Sequence, residues 1–253
     1  MPTKIEWANE TWSPITGCRP ISDGCQNCYA KRMANRLRGR FGYPADDPFR
    51  VTYHPDRLEQ PLKWKKPRRV FVCSMGDLFH GQVPFERINQ IIKIITLCKR
   101  HTFLMLTKRP KRMAEYFKHL EYLLQIVGES RLPIPKLWLS VTAENQTAAD
   151  ERIPVLLQIP AVVRFVSVEP MLGPVNLKLS DYAISGDSHS VRRAFLNWVI
   201  CGAETGPGAR PMQLSWARDL INQCKAAGVP FFFKKATGET PPDLMIREYP
   251  KGG

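Results

Sequence analysis

One unit recurs along this chain: a short apolar run, a polar or acidic terminus, then a longer stretch with helical spacing. The clear runs are Val70–Ser74, Thr102–Thr107, Leu137–Thr142, Arg164–Val168, Trp198–Cys201 and Pro230–Phe233. Continuous β-branched and aromatic runs of this length suit strands buried on both faces, the condition of a parallel sheet covered by helices. Between them, Phe85–Lys99 puts Ile88, Ile91, Ile92, Ile95 and Cys98 on one helical face. Ser215–Ala227 is a second such segment, with Gly228 as its stop before Pro230. Two weaker strand candidates, Ser13–Thr16 and Arg50–His54, raise the count from six to eight. Alternation of this kind over 253 residues predicts one α/β domain spanning residues 1–253, a TIM-like, eight-stranded (β/α) barrel. A partial six-stranded barrel and a doubly wound sheet are the alternatives.

The hydrophobic fraction of 43% and the six Trp supply a large core, which excludes a disordered chain. No apolar run is long enough for a membrane span, and the polar stretch Met1–Trp12 does not read as a signal peptide. A cytoplasmic protein with no membrane partner is expected.

Polar residues recur just after the strands: Asp77, Thr107-Lys108-Arg109, Glu144-Asn145, Glu169 and Glu204. In a (β/α) barrel these positions share the C-terminal face, where active sites are built. Each carboxylate alone suits a helix N-terminus. Together they read as a functional ring.

The seven Cys are unevenly spread. Cys73, Cys98, Cys201 and Cys224 sit in apolar or helical surroundings and are expected to be buried as small hydrophobes. Cys18, Cys25 and Cys28 crowd into one loop, residues 17–29, with C-x6-C-x2-C spacing, directly before a helix expected over Asn27–Arg38. Thiolates select zinc or iron–sulfur clusters. A structural zinc site is closed by four ligands, so zinc here needs a distant residue such as His80 or Cys201. A 4Fe-4S cluster on three Cys keeps one iron open to an outside ligand.

The formal charge of +14 is partly clustered. Lys63, Lys65, Lys66, Arg68 and Arg69 surround Trp64, while Lys108, Arg109, Lys111 and Arg112 follow a strand. Such clusters attract polyanions, and nucleic acid is the partner they suggest. His54, His101, His119 and His189 read as ordinary surface or packing residues.

Three Cys on the loop after the first barrel strand resembles the arrangement of radical S-adenosylmethionine enzymes. There the open iron binds the cofactor's methionine part, and reductive cleavage yields a radical that abstracts hydrogen from substrate. The pattern departs from that superfamily in its first gap of six residues rather than three, and in Tyr29 following the last Cys instead of preceding it. No Gly-Gly-Glu motif follows the second strand.

Over nearly its whole length the chain also resembles the phage and bacterial "gene product 37/68" family, three-Cys-motif proteins of unknown function. The likeness rests on Trp12-Ser13-Pro14-Ile15-Thr16-Gly17-Cys18, Gly24-Cys25-Gln26-Asn27-Cys28-Tyr29-Ala30 and Ser74-Met75-Gly76-Asp77-Leu78-Phe79-His80. It continues through Leu106-Thr107-Lys108-Arg109-Pro110, Ser167-Val168-Glu169-Pro170-Met171-Leu172-Gly173-Pro174 and Gly206-Pro207-Gly208-Ala209-Arg210-Pro211-Met212. The resemblance implies a phage or mobile-element setting, with a phage-encoded or host partner protein.

The resulting expectation is a radical S-adenosylmethionine-like enzyme acting on nucleic acid or a nucleotide, with Cys18, Cys25 and Cys28 as ligands to a 4Fe-4S cluster. Glu169, Glu204 and Asp77 are the candidate catalytic groups. Glu144, Lys108, Arg109 and His80 are the candidates for holding S-adenosylmethionine, a forked guanidinium being well shaped for a carboxylate or phosphate. The competing readings are a non-catalytic, zinc-stabilised nucleic-acid-binding barrel and a metal-dependent hydrolase built on His80 and the carboxylates.

Overall fold

The computed structural model describes residues 5–129, 132–179 and 195–250. Seven parallel strands form its main sheet: β1 (Glu10–Trp12), β4 (Arg69–Val72), β5 (Thr102–Thr107), β6 (Leu137–Thr142), β7 (Val163–Val168), β8 (Trp198–Cys201) and β9 (Phe231–Phe233). They lie side by side in chain order and curl into a half-barrel. All six apolar runs of the sequence are strands, within a residue or two of their expected ends. Each passage from one strand to the next parallel one needs a crossover; α2 (Phe85–Leu97), α3 (Pro110–Ile126), α4 (Gln146–Leu157) and α5 (Leu214–Ala227) supply it between β4 and β5, β5 and β6, β6 and β7, and β8 and β9. Gly228 ends α5 in the left-handed conformation, at φ 64°.

The two faces of the sheet bury different residues. Val70, Phe103, Leu139, Val141, Val166 and Val199 pack outward against Ile88, Ile91 and Ile95 of α2, Met113 and Phe117 of α3, Ile153 of α4 and Leu220 of α5. The inner face carries Leu104, Trp138, Phe165, Trp198, Ile200 and Phe232, a cluster with no helical member, into which Trp7 inserts from the N-terminal segment. Trp198 meets Trp138 and Trp7 edge-on, with ring centroids 5.9 and 6.5 Å apart. The half-barrel is therefore packed solid at the N-terminal end of its strands. The opposite mouth carries the polar strand-end residues.

Two expectations are corrected. Ser13–Thr16 and Arg50–His54 are not sheet strands; their cores, β2 (Ile15–Thr16) and β3 (Thr52–Tyr53), pair antiparallel with each other beside the mouth. The true first strand is the three-residue Glu10–Trp12, too short and polar to show as an apolar run. Nor do eight strands close a barrel among the described residues. The free edge of β9 is taken by residues 246–248, whose backbone bonds run Phe233 N–H to Ile246 O (2.9 Å) and Glu248 N–H to Phe231 O (3.0 Å). This antiparallel segment reaches the N-terminus through Arg247 to Glu6 (2.8 Å) and Tyr249 Oη to Glu6 O (3.3 Å), bridging the gap beside β1. No helix among the described residues is long and apolar enough to cross a membrane.

Candidate functional site

The loop that carries the three cysteines is fixed at its start by two glycines. Gly17 has φ +85°, and a Cβ there would lie 2.1 Å from Arg50 O. A Cβ on Gly76 would lie 2.7 Å from Gly17 O, and the two residues form a parallel bridge. Only glycine allows both approaches. Cys18 thus leaves the barrel beside the β4 loop, its N–H bonded to Phe49 O at 3.1 Å. A 3-10 turn, Asp23–Cys25, follows, and Cys28 occupies the N-cap of α1 (Tyr29–Arg36). No side chain caps that helix, so its first N–H groups present partial positive charge at Cys28.

All three thiols are free and partly exposed. Cys18 and Cys28 pack on one small cluster with Met75, Ala30, Ala34, Tyr43 and Phe49. Cys25 lies 3.8 Å from Ser22 Oγ and within electrostatic reach of Cys18. Burial and the Asp77 carboxylate push the Cys18 thiol up to about 11, against the pull of Arg109. Among the described residues no three His, Cys, Asp or Glu converge as a group around one metal ion. Three soft donors on one loop match the donor type that thiolate-bound metals and clusters take.

Three of the strand-end carboxylates buttress this loop. Asp77 accepts bonds from Phe79 N–H (2.9 Å) and the Thr107 hydroxyl (2.8 Å), and Arg109 Nε stands 3.7 Å away. Arg109 also donates to Arg19 O at 3.0 Å. Glu144 is buried against Gly24, where an added Cβ would meet its Cδ at 3.0 Å. It accepts from Arg152 Nη1 at 2.8 Å, and both side chains are nearly inaccessible. Burial alone would raise its carboxyl; the Ser22 hydrogen bond and the charges of Lys108 and Arg152 prevail and hold it below the usual glutamate range. Glu204 takes three bonds from Arg210, two from the guanidinium (2.5 and 2.9 Å) and one from the backbone N–H (2.9 Å), and a fourth from Asn27 Nδ2 (2.8 Å). The Arg210 bonds, with Asn27, bring its carboxyl down to about 2 against burial. Arg210 also donates to Asp23 O (2.9 Å) and Gln26 Oε1 (3.3 Å), so one guanidinium ties the loop to the end of β8.

Glu169 stands apart, at the end of β7. Its Oε1 is 2.5 Å from Lys234 Nζ, one residue past β9, across Gly202, where a Cβ would crowd both side chains. Burial pulls the Lys234 ammonium down, but Glu169 outweighs it and the net shift is upward. His80 is buried, with Nδ1 accepting from Gln82 N–H (3.1 Å); burial and then Arg109 lower its pKa. The structure gathers Cys18, Cys25, Cys28, Asp77, His80, Lys108, Arg109, Glu144 and Glu204 around one loop, and leaves Glu169 in a separate pair.

A family model described as a protein of unknown function, DUF5131, matches residues 2–251. The chain belongs to the DUF5131 family. No curated protein and no solved structure matches it.

In this DUF5131 protein, sequence reading missed Arg152, Arg210 and Lys234. Lys234 obeys the strand-end rule that picks out the carboxylates, being the first residue past β9. Arg152 lies mid-helix, where no periodicity marks it, and Arg210 lies in a loop, marked only by the Gly206–Met212 stretch that carries the family resemblance. The four scattered cysteines are buried as expected, and Cys201, with Sγ 3.6 Å from Met171 Sδ, sits in the apolar layer. It is therefore not available as a distant fourth ligand. His54 and His101 are buried packing residues and His119 lies against Phe85; His189 falls outside the described residues.

The two basic clusters do not form one surface. Lys63–Arg69 leads into β4 and so lies at the N-terminal end of the sheet, whereas Lys108–Arg112 follows β5 at the mouth. A six-residue strand separates the ends by about 20 Å. Trp64 is half-buried, with Arg68 over its ring at 5.2 Å and His101 packed at a steep angle to it. Arg68 itself pairs with Glu10, and Arg69 lies over Tyr249.

Proposed function

We propose that this DUF5131 protein is an iron–sulfur enzyme of the radical S-adenosylmethionine type, with Cys18, Cys25 and Cys28 holding a four-iron cluster at the mouth of the half-barrel. The observation that carries the reading is the loop itself: three free thiols, braced by Asp77–Arg109, Glu144 and Glu204–Arg210, on the face where the fold builds active sites. A bound cluster with one iron left open supplies an electron and a coordination position. What the chain's own residues contribute is placement. Arg210 and Gly24 set the loop against the strand ends, and α1 offers its uncapped N-terminus to the negative charge of thiolate and sulfide.

Asp77 and Glu204 are engaged by Thr107, Arg109, Arg210 and Asn27, and act by positioning the loop. Glu169 and Lys234 are the pair best placed to meet a ligand, being one-fifth exposed and not bonded to the cysteine loop. An ammonium and a carboxylate side by side suit a ligand bearing the opposite two charges.

Anaerobic reconstitution with iron and sulfide tests the reading. About four iron per chain, visible absorbance, and a paramagnetic signal that changes on adding S-adenosylmethionine are expected. Cys18→Ala, Cys25→Ala and Cys28→Ala should each lose the cluster. Colourless protein with one zinc per chain would overturn the proposal.

A further inference from the structure

Beside Cys18 lies a cavity of about 520 Å³. Its wall carries Arg19, Lys31 and Arg50 against one carboxylate, Asp47, with Phe49 as an apolar floor. Neither basic cluster seen in the sequence contributes to it; tertiary folding assembles it from the cysteine loop, α1 and the segment before β3.

Asp47 is occupied, accepting from Phe49 N–H at 3.2 Å, and Arg50 leans on Asp46 at 2.6 Å. The side chains of Arg19 and Lys31 have no hydrogen-bond or carboxylate partner among the described residues. Like charges around a small concavity repel one another and raise the local potential for an anion. The volume falls within the range of small-ligand sites, about 300–1,000 Å³, and exceeds what one inorganic ion needs.

We propose that this cavity binds a phosphate group of a nucleotide or polynucleotide, with Arg19 and Lys31 as its principal contacts and Arg50 at its edge. The inference deepens the enzyme reading by naming the substrate class, yet it rests on groups that are not cluster ligands. Phosphate seated there holds its nucleotide next to Cys18.

The test uses the full chain, anaerobically purified, with iron quantified on the same samples. Binding of a fluorescent single-stranded oligonucleotide is followed by anisotropy at several salt concentrations, with pyrophosphate and a mononucleotide as competitors. An Arg19→Gln/Lys31→Gln double variant should weaken binding at least tenfold. It should also flatten the dependence of log K on log salt by about 1.4, as loss of two phosphate contacts to a single strand requires. A Lys65→Gln/Lys66→Gln variant at the far end of the sheet should change binding less than twofold. Competition by the mononucleotide at matched phosphate concentration assigns the site to free nucleotides; oligonucleotide binding without it assigns the site to a strand. Equal weakening by the two double variants, or no binding of any of the three probes at low salt, overturns the inference. Iron content tells that outcome apart from a failure of the cluster reading.

Discussion

Single residues in this protein show how burial decides chemistry. His54 is buried and its Nε2 lies 2.7 Å from the Thr16 hydroxyl, while Gly42 packs so closely that a Cβ there would come within 2.8 Å of Nδ1. Burial, helped by Arg57, lowers its pKa to about 4. The unfolded chain takes up that proton near 6.5 and the folded chain only near 4. Stability is therefore full above pH 6.5 and declines as pH falls through the window down to about 4. Urea denaturation between pH 7.5 and 4 should show this slope, and His54→Gln should flatten it. A second residue-scale case is Arg152. Its partner Glu144 is inaccessible, so Arg152→Met leaves a buried charge without compensation and should cost about 3–5 kcal/mol in the same assay. Glu144→Gln with Arg152→Met together should recover much of that loss, because no charge is then stranded.

At the scale of elements, the cysteine loop depends on bonds from strands that are remote in sequence. Arg210 comes from the loop after β8, and it spans to Asp23 O, Gln26 and Glu204. Arg210→Gln removes the charge-assisted bonds at both ends of this span. Amide exchange over residues 18–28 should then accelerate at least tenfold, with β5 to β8 unchanged, and reconstituted iron should fall. Exchange in the loop equal to wild type would show that Arg210 does not position it. Arg210→Lys should rescue only in part, since a single ammonium cannot make the forked contact.

The whole molecule is an open sheet that must protect its last strand. Residues 246–248 cover the outer edge of β9, and Arg247 and Tyr249 carry that cover across to Glu6. An unpaired, three-Phe edge strand is a template for association. Truncation after Met245 should lower the melting temperature and yield concentration-dependent oligomers by light scattering. A monomer with unchanged melting would refute the idea that this segment closes the sheet.

The sequence by itself determined the class of fold, because a strand buried on both faces has to be written as an unbroken apolar run, and six such runs are visible. It determined the cysteine loop for a like reason: soft donors at close spacing have few other uses. It did not determine the first strand, since Glu10–Trp12 is held by pairing with Val70–Val72 and not by any apolar run of its own. Nor did it determine closure, for Ser13–Thr16 and Arg50–His54 carry strand-like composition yet find each other before they find the sheet. The roles of the carboxylates were equally hidden. Asp77, Glu144, Glu169 and Glu204 share one sequence context, a strand end, and differ only in the cation that folding delivers to each: Arg109, Arg152, Lys234 and Arg210. Two of these partners lie within eight residues and two come from remote strands; in each case the assembled fold decides the pairing, because a charge removed from water must find its partner wherever the topology places it.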